Sequence, residues 1–270
     1  MKNISLSRIL LIGVFLVYMI VPLIATVAFS FSVRWDRTIL PEGLTLDWWI
    51  AATTRRAFSS ALKHTLVLSL ATTGFSIVLM TPTAYWAYQR VSKAKPMIEV
   101  LTIMPFGIPG VVLALALIRT YARLGGALVY SPSMLVMACT VIGLPFFYRP
   151  LANALNATDI KVLTEAALTL GASWPRIIMK VIVPNIMPGI LSGALLVFSL
   201  VFVEFTLANL LTGGRFKTFP IYLVEYTRFD GRQASALAVI SFIFAWIISL
   251  ALIMLASRSG LRREEAIGGR

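Results

Sequence analysis

A single cysteine, Cys139, in 270 residues excludes an internal disulfide, and a single histidine, His64, is too few for the usual zinc ligand set. Charge is scarce too. Asp, Glu, Lys and Arg make up 13% of the chain, against about 25% in an ordinary soluble domain. Apolar residues take their place, at 59%, with a mean hydropathy of +0.87. A chain so short of polar side chains cannot cover a core of its own in water, and it is too apolar to be disordered. Acids are rarer than bases, 11 against 24, for a net charge of +13. In a membrane chain that excess places loops beside lipid headgroups and does not require nucleic acid. A P-loop is also missing. Without G-x-x-x-x-G-K-[ST] there is no cradle of backbone N–H groups and lysine for a nucleotide's phosphates.

What is present is a set of long apolar runs. Crossing a bilayer takes about 20 such residues, and six stretches qualify: about 9–31, 62–88, 98–118, 132–147, 186–211 and 234–256. The fourth is the shortest. All are expected to be helices, because an open sheet would leave backbone groups unpaired in lipid, and barrel-type alternation is absent. The expected fold is an all-α integral membrane protein with six transmembrane helices. It would form a single transmembrane domain over 1–270: first helix and outer loop to 61, a core module over 62–256, and a tail from 257. The first run is much longer than a signal-peptide core and lacks a clear cleavage site, so it reads as a retained helix. Six spans put both termini on one side. Thirteen bases, Lys2, Arg8, Arg90, Lys93, Lys95, Arg149, Lys161, Arg176, Lys180, Arg258, Arg262, Arg263 and Arg270, fall on the amino-terminal side. Their density in the short turn 90–96 and in the tail favours cytoplasmic termini. The paired Trp48 and Trp49 of the outer loop suit a membrane interface, with the ring half buried and its N–H in water.

The segment 149–184 is too polar to cross lipid and too patterned to be a plain connector. Thr158 or Asp159 can cap a helix. Ile160, Leu163, Ala167 and Leu170 form an apolar stripe, and Gly171 is a natural left-handed stop. A second short helix is expected from Ser173, tolerating Pro175 in its first turn and ending before Pro184. The small pair Ala166–Ala167 admits close approach of another backbone, and Glu165 adds charge to that contact. Local physics leaves two readings open: a docking knob, or an amphipathic helix resting on headgroups.

Glu165-Ala166-Ala167, three residues, Gly171, nine residues and Val181-Ile182-Val183-Pro184 resemble the EAA loop of ABC-importer permeases, with Val181 and Val183 standing where Ile and Leu are usual. The likeness, to the binding-protein-dependent or MetI-like permeases, extends over about 62–256. It implies that this loop, between the fourth and fifth helices, is a cytoplasmic coupling helix seated in a groove of an ATPase subunit. Glu165, Ala166, Ala167, Gly171 and Pro184 would lie in or beside that joint. It implies further partners: a second permease, either homologous or a copy of this chain; two cytoplasmic ABC ATPases, which would bind the ATP and Mg; and a periplasmic or lipid-anchored substrate-binding protein. The expected location is the inner (plasma) membrane of a bacterial cell, in contact with membrane lipid and with no nucleic acid. Leu211-Thr212-Gly213-Gly214-Arg215 looks superficially like an ABC ATPase signature, but no P-loop accompanies it.

Path-lining candidates follow from polarity and helix breaks. Glu204 lies toward the outer end of the fifth span, where a carboxylate faces a cavity or a partner helix, and Thr206 and Asn209 add polarity beyond it. An interhelical bond is the alternative. Pro105, Gly107 and Pro109 should break or kink the third span, which makes it either a pathway element or a structural bend. Gly189, Ser192, Gly193 and Ser199 give the fifth span a small-residue face. The expected function is a permease subunit of an ATP-driven importer, not itself an enzyme, for a polyamine, phosphonate or similar small charged solute. The outer loop looks most like polyamine, phosphonate and iron permeases. An ion-gradient carrier would show internal repeats or several intramembrane charges. A membrane enzyme would show a cluster of His, Asp, Glu or Cys, and a non-transporting scaffold would need a transport assay to exclude.

Overall fold

The computed structural model describes residues 6–89, 91–124 and 126–268, and leaves undescribed the side chains of 6–9, 92, 124, 252 and 255–268. Lys2, Arg90 and Arg270 of the charge count therefore lie outside the described residues, as do the side chains of Arg8, Arg258, Arg262 and Arg263. The helices are α1 (Leu6–Phe31), α2 (Asp47–Thr53), α3 (Arg56–Gln89), α4 (Lys95–Ile103), α5 (Gly110–Tyr121), α6 (Gly126–Val129), α7 (Pro132–Ala157), α8 (Ile160–Thr169), α9 (Trp174–Ile177), α10 (Val183–Phe202), α11 (Thr206–Leu211), α12 (Phe219–Thr227) and α13 (Gly231–Gly268). A ribbon of two short strands, β1 (Ser32–Arg34) and β2 (Glu42–Leu44), interrupts this all-α pattern.

Among the described residues five helices are long and apolar enough to cross a bilayer: Leu10–Phe31, Arg56–Gln89, Pro132–Ala157, Trp174–Phe202 and Gly231–Ala251. A sixth crossing is made only if the pair Lys95–Gly107 and Gly110–Tyr121, bent by 98°, counts as one. The bounds differ from the sequence expectation in two places. The fourth span runs on to Ala157, because Arg149, Asn153 and Asn156 continue the helix beyond the apolar stretch. The fifth begins at Trp174 and stops at Phe202, not at 211.

The chain divides into two compact units, 1–59 with 222–244, and 60–221 with 245–270. In the first, β1 and β2 pair antiparallel with Ser32 opposite Leu44. Trp48 Nε1 donates to the Ser32 carbonyl at 2.9 Å, and the Arg232 guanidinium lies over the Trp48 ring, 4.2 Å from its centre. The indole N–H is thus satisfied by protein and not by the water expected at an interface. Trp49 stacks on Phe31 at 5.1 Å. Arg232 also pairs with Asp230 at 3.1 Å and donates to the Val33 carbonyl.

In the second unit the core is built on α7 and α10. A Cβ at Gly189 would meet Ala154 Cβ at 2.5 Å and the Pro150 carbonyl at 2.7 Å, and one at Gly193 the Phe147 carbonyl at 2.9 Å. Only glycine allows the backbones this close, which brings Phe147, Leu151, Val197 and Val201 together at full burial. Ser192 and Ser199, expected on the same small-residue face, are exposed instead, because they fall off the helical stripe set by Gly189, Gly193 and Val197.

Two outcomes are expected. Gly193→Leu destabilises the detergent-purified protein by about 1–3 kcal/mol of overpacking, read as a lower thermal midpoint, whereas Gly74→Leu, whose Cβ has open space, does not lower it. Burial alone would raise the Asp230 carboxyl, but hydrogen bonds and charge from Arg232 outweigh it and hold it below the ordinary carboxylate range. Its ionised form therefore adds stability above the unfolded-state value of about 3.9, and that contribution is lost as pH falls through the lower folded value. A thermal-midpoint series from pH 7 to 3 should show Asp230→Asn with a shallower acid-side decline than the parent.

Candidate functional site

The segment after α7 is an elbow whose geometry follows from its caps. α7 ends at Ala157, and Thr158 is extended. Asp159 then caps α8, its Oδ1 accepting the Val162 N–H at 3.4 Å, so Asp159 and not Thr158 supplies the cap. At the far end Gly171 has φ +72°, its N–H donates to the Leu168 carbonyl at 2.9 Å, and the Ala172 N–H reaches back to the Ala167 carbonyl at 3.0 Å. These two bonds and the left-handed glycine make a Schellman stop, which turns the chain sharply after one short helix.

The faces of α8 are distinct. Ile160, Thr164 and Ala167 are buried, and Thr164 Oγ1 lies 3.3 Å from the Tyr85 hydroxyl of α3. Trp174 stacks on Trp86 of α3, 6.2 Å between ring centres. The elbow is thus braced against α3 on both sides of the glycine turn. Facing outward are Glu165, Ala166 and Gly171, with the apolar Val162, Leu168, Leu170 and Met179 around them. The two alanines part company: Ala166 is exposed and Ala167 faces the chain's own core. Leu170, expected on the buried stripe, is 87% exposed, since it sits at the C-cap after the helical period has ended.

The second short helix does not end before Pro184. α9 passes through a wide π turn, Ile178–Ile182, straight into α10, with Pro184 in the first turn of the latter. A proline there removes an N–H donor, and the π turn accommodates the altered hydrogen-bond ladder. The Asn185 side-chain amide adds a bond to the Val181 carbonyl at 2.6 Å.

The path candidates group around two helix breaks. Ile108 is extended (φ −102°, ψ 115°), as the residue before a proline prefers, and Pro109 caps α5. Pro105 is buried in the preceding 3-10 turn, whereas Gly107 and Pro109 are exposed. The fifth span breaks at Val203–Phe205, immediately around Glu204. Glu204 Oε1 accepts the Leu207 N–H at 2.7 Å, so the half-buried carboxylate satisfies the freed start of α11. The two breaks meet: α5 packs along α11, and a Cβ on Gly110 would lie 3.6 Å from Thr206 Cγ2. Asn209 is exposed. His64 has contacts within the protein that the sequence did not reveal. Its Nδ1 lies 2.9 Å from the Lys217 carbonyl and its ring stacks on Phe216 at 4.3 Å. Among the described residues no three His, Cys, Asp or Glu side chains gather as a metal site.

Residues 80–263 match the model of the family described as binding-protein-dependent transport system inner membrane component. The chain is 24% identical over 257 residues to the spermidine/putrescine transport system permease protein PotC of Escherichia coli (strain K12), covering 93% of this chain and 92% of that protein. It is 27% identical over 238 residues to PotB, a permease protein of the same named system, of Salmonella typhimurium (strain LT2), covering 80% and 81%. Among solved structures, a bacterial ABC transporter involved in the import of alginate superposes with a TM-score of 0.75 at 16% identity, over 94% of this chain and 99% of that one. The MetNI methionine ABC transporter, in inward-facing conformations, gives 0.61 at 19% identity, over 75% and 95%. With two thirds of its length inside the family model and its fold matched to importer permeases, the chain belongs to the binding-protein-dependent transport system inner membrane components.

Proposed function

We propose that this permease subunit passes a small amine-bearing cation, and that its elbow takes the thrust of an ATPase on the cytoplasmic side. The chain is a multi-pass membrane permease of an ABC importer and not itself the ATPase. The observation that carries the coupling role is the outward face of the elbow. Glu165, Ala166, Leu168 and Leu170 are exposed on a helix stopped by Gly171 and braced against α3. A short rigid helix with an apolar rim and one acid suits a groove on another protein better than solvent. In this reading ATP and Mg belong to two such ATPases, a second permease completes the channel, and a binding protein delivers solute on the opposite face. Both chain termini then lie on the cytoplasmic side with the elbow. The names of the PotC and PotB relatives support a polyamine-like solute. So does Glu204, a carboxylate at the junction of two broken helices, where an ammonium could exchange with backbone donors.

Gly171→Val forces a branched side chain into a left-handed backbone, a strain of about 1–2 kcal/mol, and re-aims the elbow. Co-purification with the ATPase and ATP-coupled uptake should both fall at least about tenfold, the ratio that 1.4 kcal/mol produces. Leu170→Glu, which spares the backbone, should have the same effect on association. Normal association and uptake in both variants, with the protein folded and inserted, would discard the coupling assignment. At the breaks, Glu204→Gln keeps an acceptor for the Leu207 N–H and removes only the charge. Uptake of radiolabelled spermidine by the reconstituted complex is expected to fall about tenfold or more while the thermal midpoint holds. Glu204→Ala should lower both, with a loss of stability of about 1 kcal/mol from the missing cap.

A further inference from the structure

A second polar feature lies at the end of α7 nearest the elbow. Glu99 and Ile103 of the third span, with Tyr148, Arg149, Ala152, Asn153 and Asn156 of α7, line a cavity of about 280 Å³. These α7 residues fall within nine positions of its end at Ala157, so the cavity lies within about 14 Å of that end along the helix axis.

Glu99 and Arg149 line one cavity, yet among the described residues neither has an ion-pair partner. The natural neighbour for Glu99 on its own helix is Lys95, one turn back. The Lys95 ammonium instead lies over the Tyr88 ring, 3.8 Å from its centre. Tyr148 is 98% buried, with its hydroxyl beside the Tyr88 side chain and no hydrogen bond of ordinary geometry among the described residues. A carboxylate, a guanidinium and a buried phenol lining one space suit a ligand that carries both signs of charge and an acceptor. Beside the cavity, α4 and the turn after it expose Met97, Val100, Leu101, Ile103 and Met104, an apolar strip continuous with the polar opening. By contrast, the larger outer cavity near Arg34 and Asp230 is lined by charges already paired, Arg34 with Asp36 and Arg232 with Asp230.

We propose that this cavity holds the headgroup of a zwitterionic aminophospholipid, with its phosphate on Arg149, its primary ammonium on Glu99 and its acyl chains along the exposed strip of α4. The volume, at the small end of ligand clefts, suits a headgroup and not a whole lipid. A primary ammonium has N–H donors for Glu99 and the asparagine carbonyls, which a choline group lacks. A purely anionic lipid would leave Glu99 opposed to like charge. The inference is independent of the solute carried.

The test uses the full chain purified with its partner subunits and stripped of lipid. Native mass spectrometry counts the lipid retained from vesicles of phosphatidylethanolamine, phosphatidylcholine or phosphatidylglycerol. Inorganic phosphate and spermidine alone serve as soluble probes. Phosphatidylethanolamine should be retained at least about tenfold more strongly than the other two, as expected for a charge-assisted hydrogen bond. Glu99→Gln should reduce it to the phosphatidylcholine level, and Arg149→Gln should abolish retention of all three. Equal retention of the three lipids, or unchanged selectivity in both variants with the complex intact, would overturn the assignment. Tight binding of spermidine that Glu99→Gln abolishes would overturn it too, making the cavity a solute site.

Discussion

The close contact of α7 and α10 at Gly189 and Gly193 is the constraint on which the rest of the larger unit depends. α7 leads into the elbow and α10 leads out of it. Because their backbones touch where no side chain can intervene, the two helices cannot slide independently without opening a void or forcing a clash. The elbow is therefore a loop between two rods that are already joined. Under the proposed coupling, a push on α8 moves the pair as one body. The push is transmitted by packing and needs no chain of polar contacts.

Rigidity at that contact stands against deliberate interruption elsewhere. Both α5 and α11 start after a break, and each break leaves backbone groups that lipid cannot satisfy. The protein answers locally. Pro109 has no N–H to strand, and Glu204 lends a carboxylate oxygen to the Leu207 N–H. The two interrupted spans then lie against each other, with Gly110 near Thr206, so the irregular backbone is covered by protein.

Much of this was legible in residue order. Long apolar runs disclosed the spans, and the spacing of Glu165, Gly171 and Pro184 disclosed the elbow. The prolines and glycines of 104–110 marked the third span's break. What escaped has physical reasons. Helix ends are set by caps and not by hydropathy, so polar Arg149, Asn153 and Asn156 extended α7 beyond its apolar stretch. Glu204 stands in an uninterrupted apolar context, and only the backbone reveals that the helix stops there. The Glu99 cavity joins residues fifty positions apart. Its one signal was an acid inside an expected span, which gives no hint of the arginine opposite. Leu170 looked like a core residue because a hydrophobic stripe does not announce where its helix ends.

The π turn at Ile178–Ile182 has a consequence for how this family member could vary. Ile177 and Ile182 are both fully buried, five positions apart, whereas Ile182, Ile186, Ile190 and Val197 below them follow ordinary helical steps. On a regular helix five residues overshoot a full circle by about 140°, and one of the pair would swing outward. The single wide loop absorbs that surplus, acting as a phase adjuster between the lever and the rod beneath it. A one-residue deletion there would trade the bulge for a regular turn and keep both faces in step. A deletion lower in α10 would spin every contact beyond it away from the glycine seam.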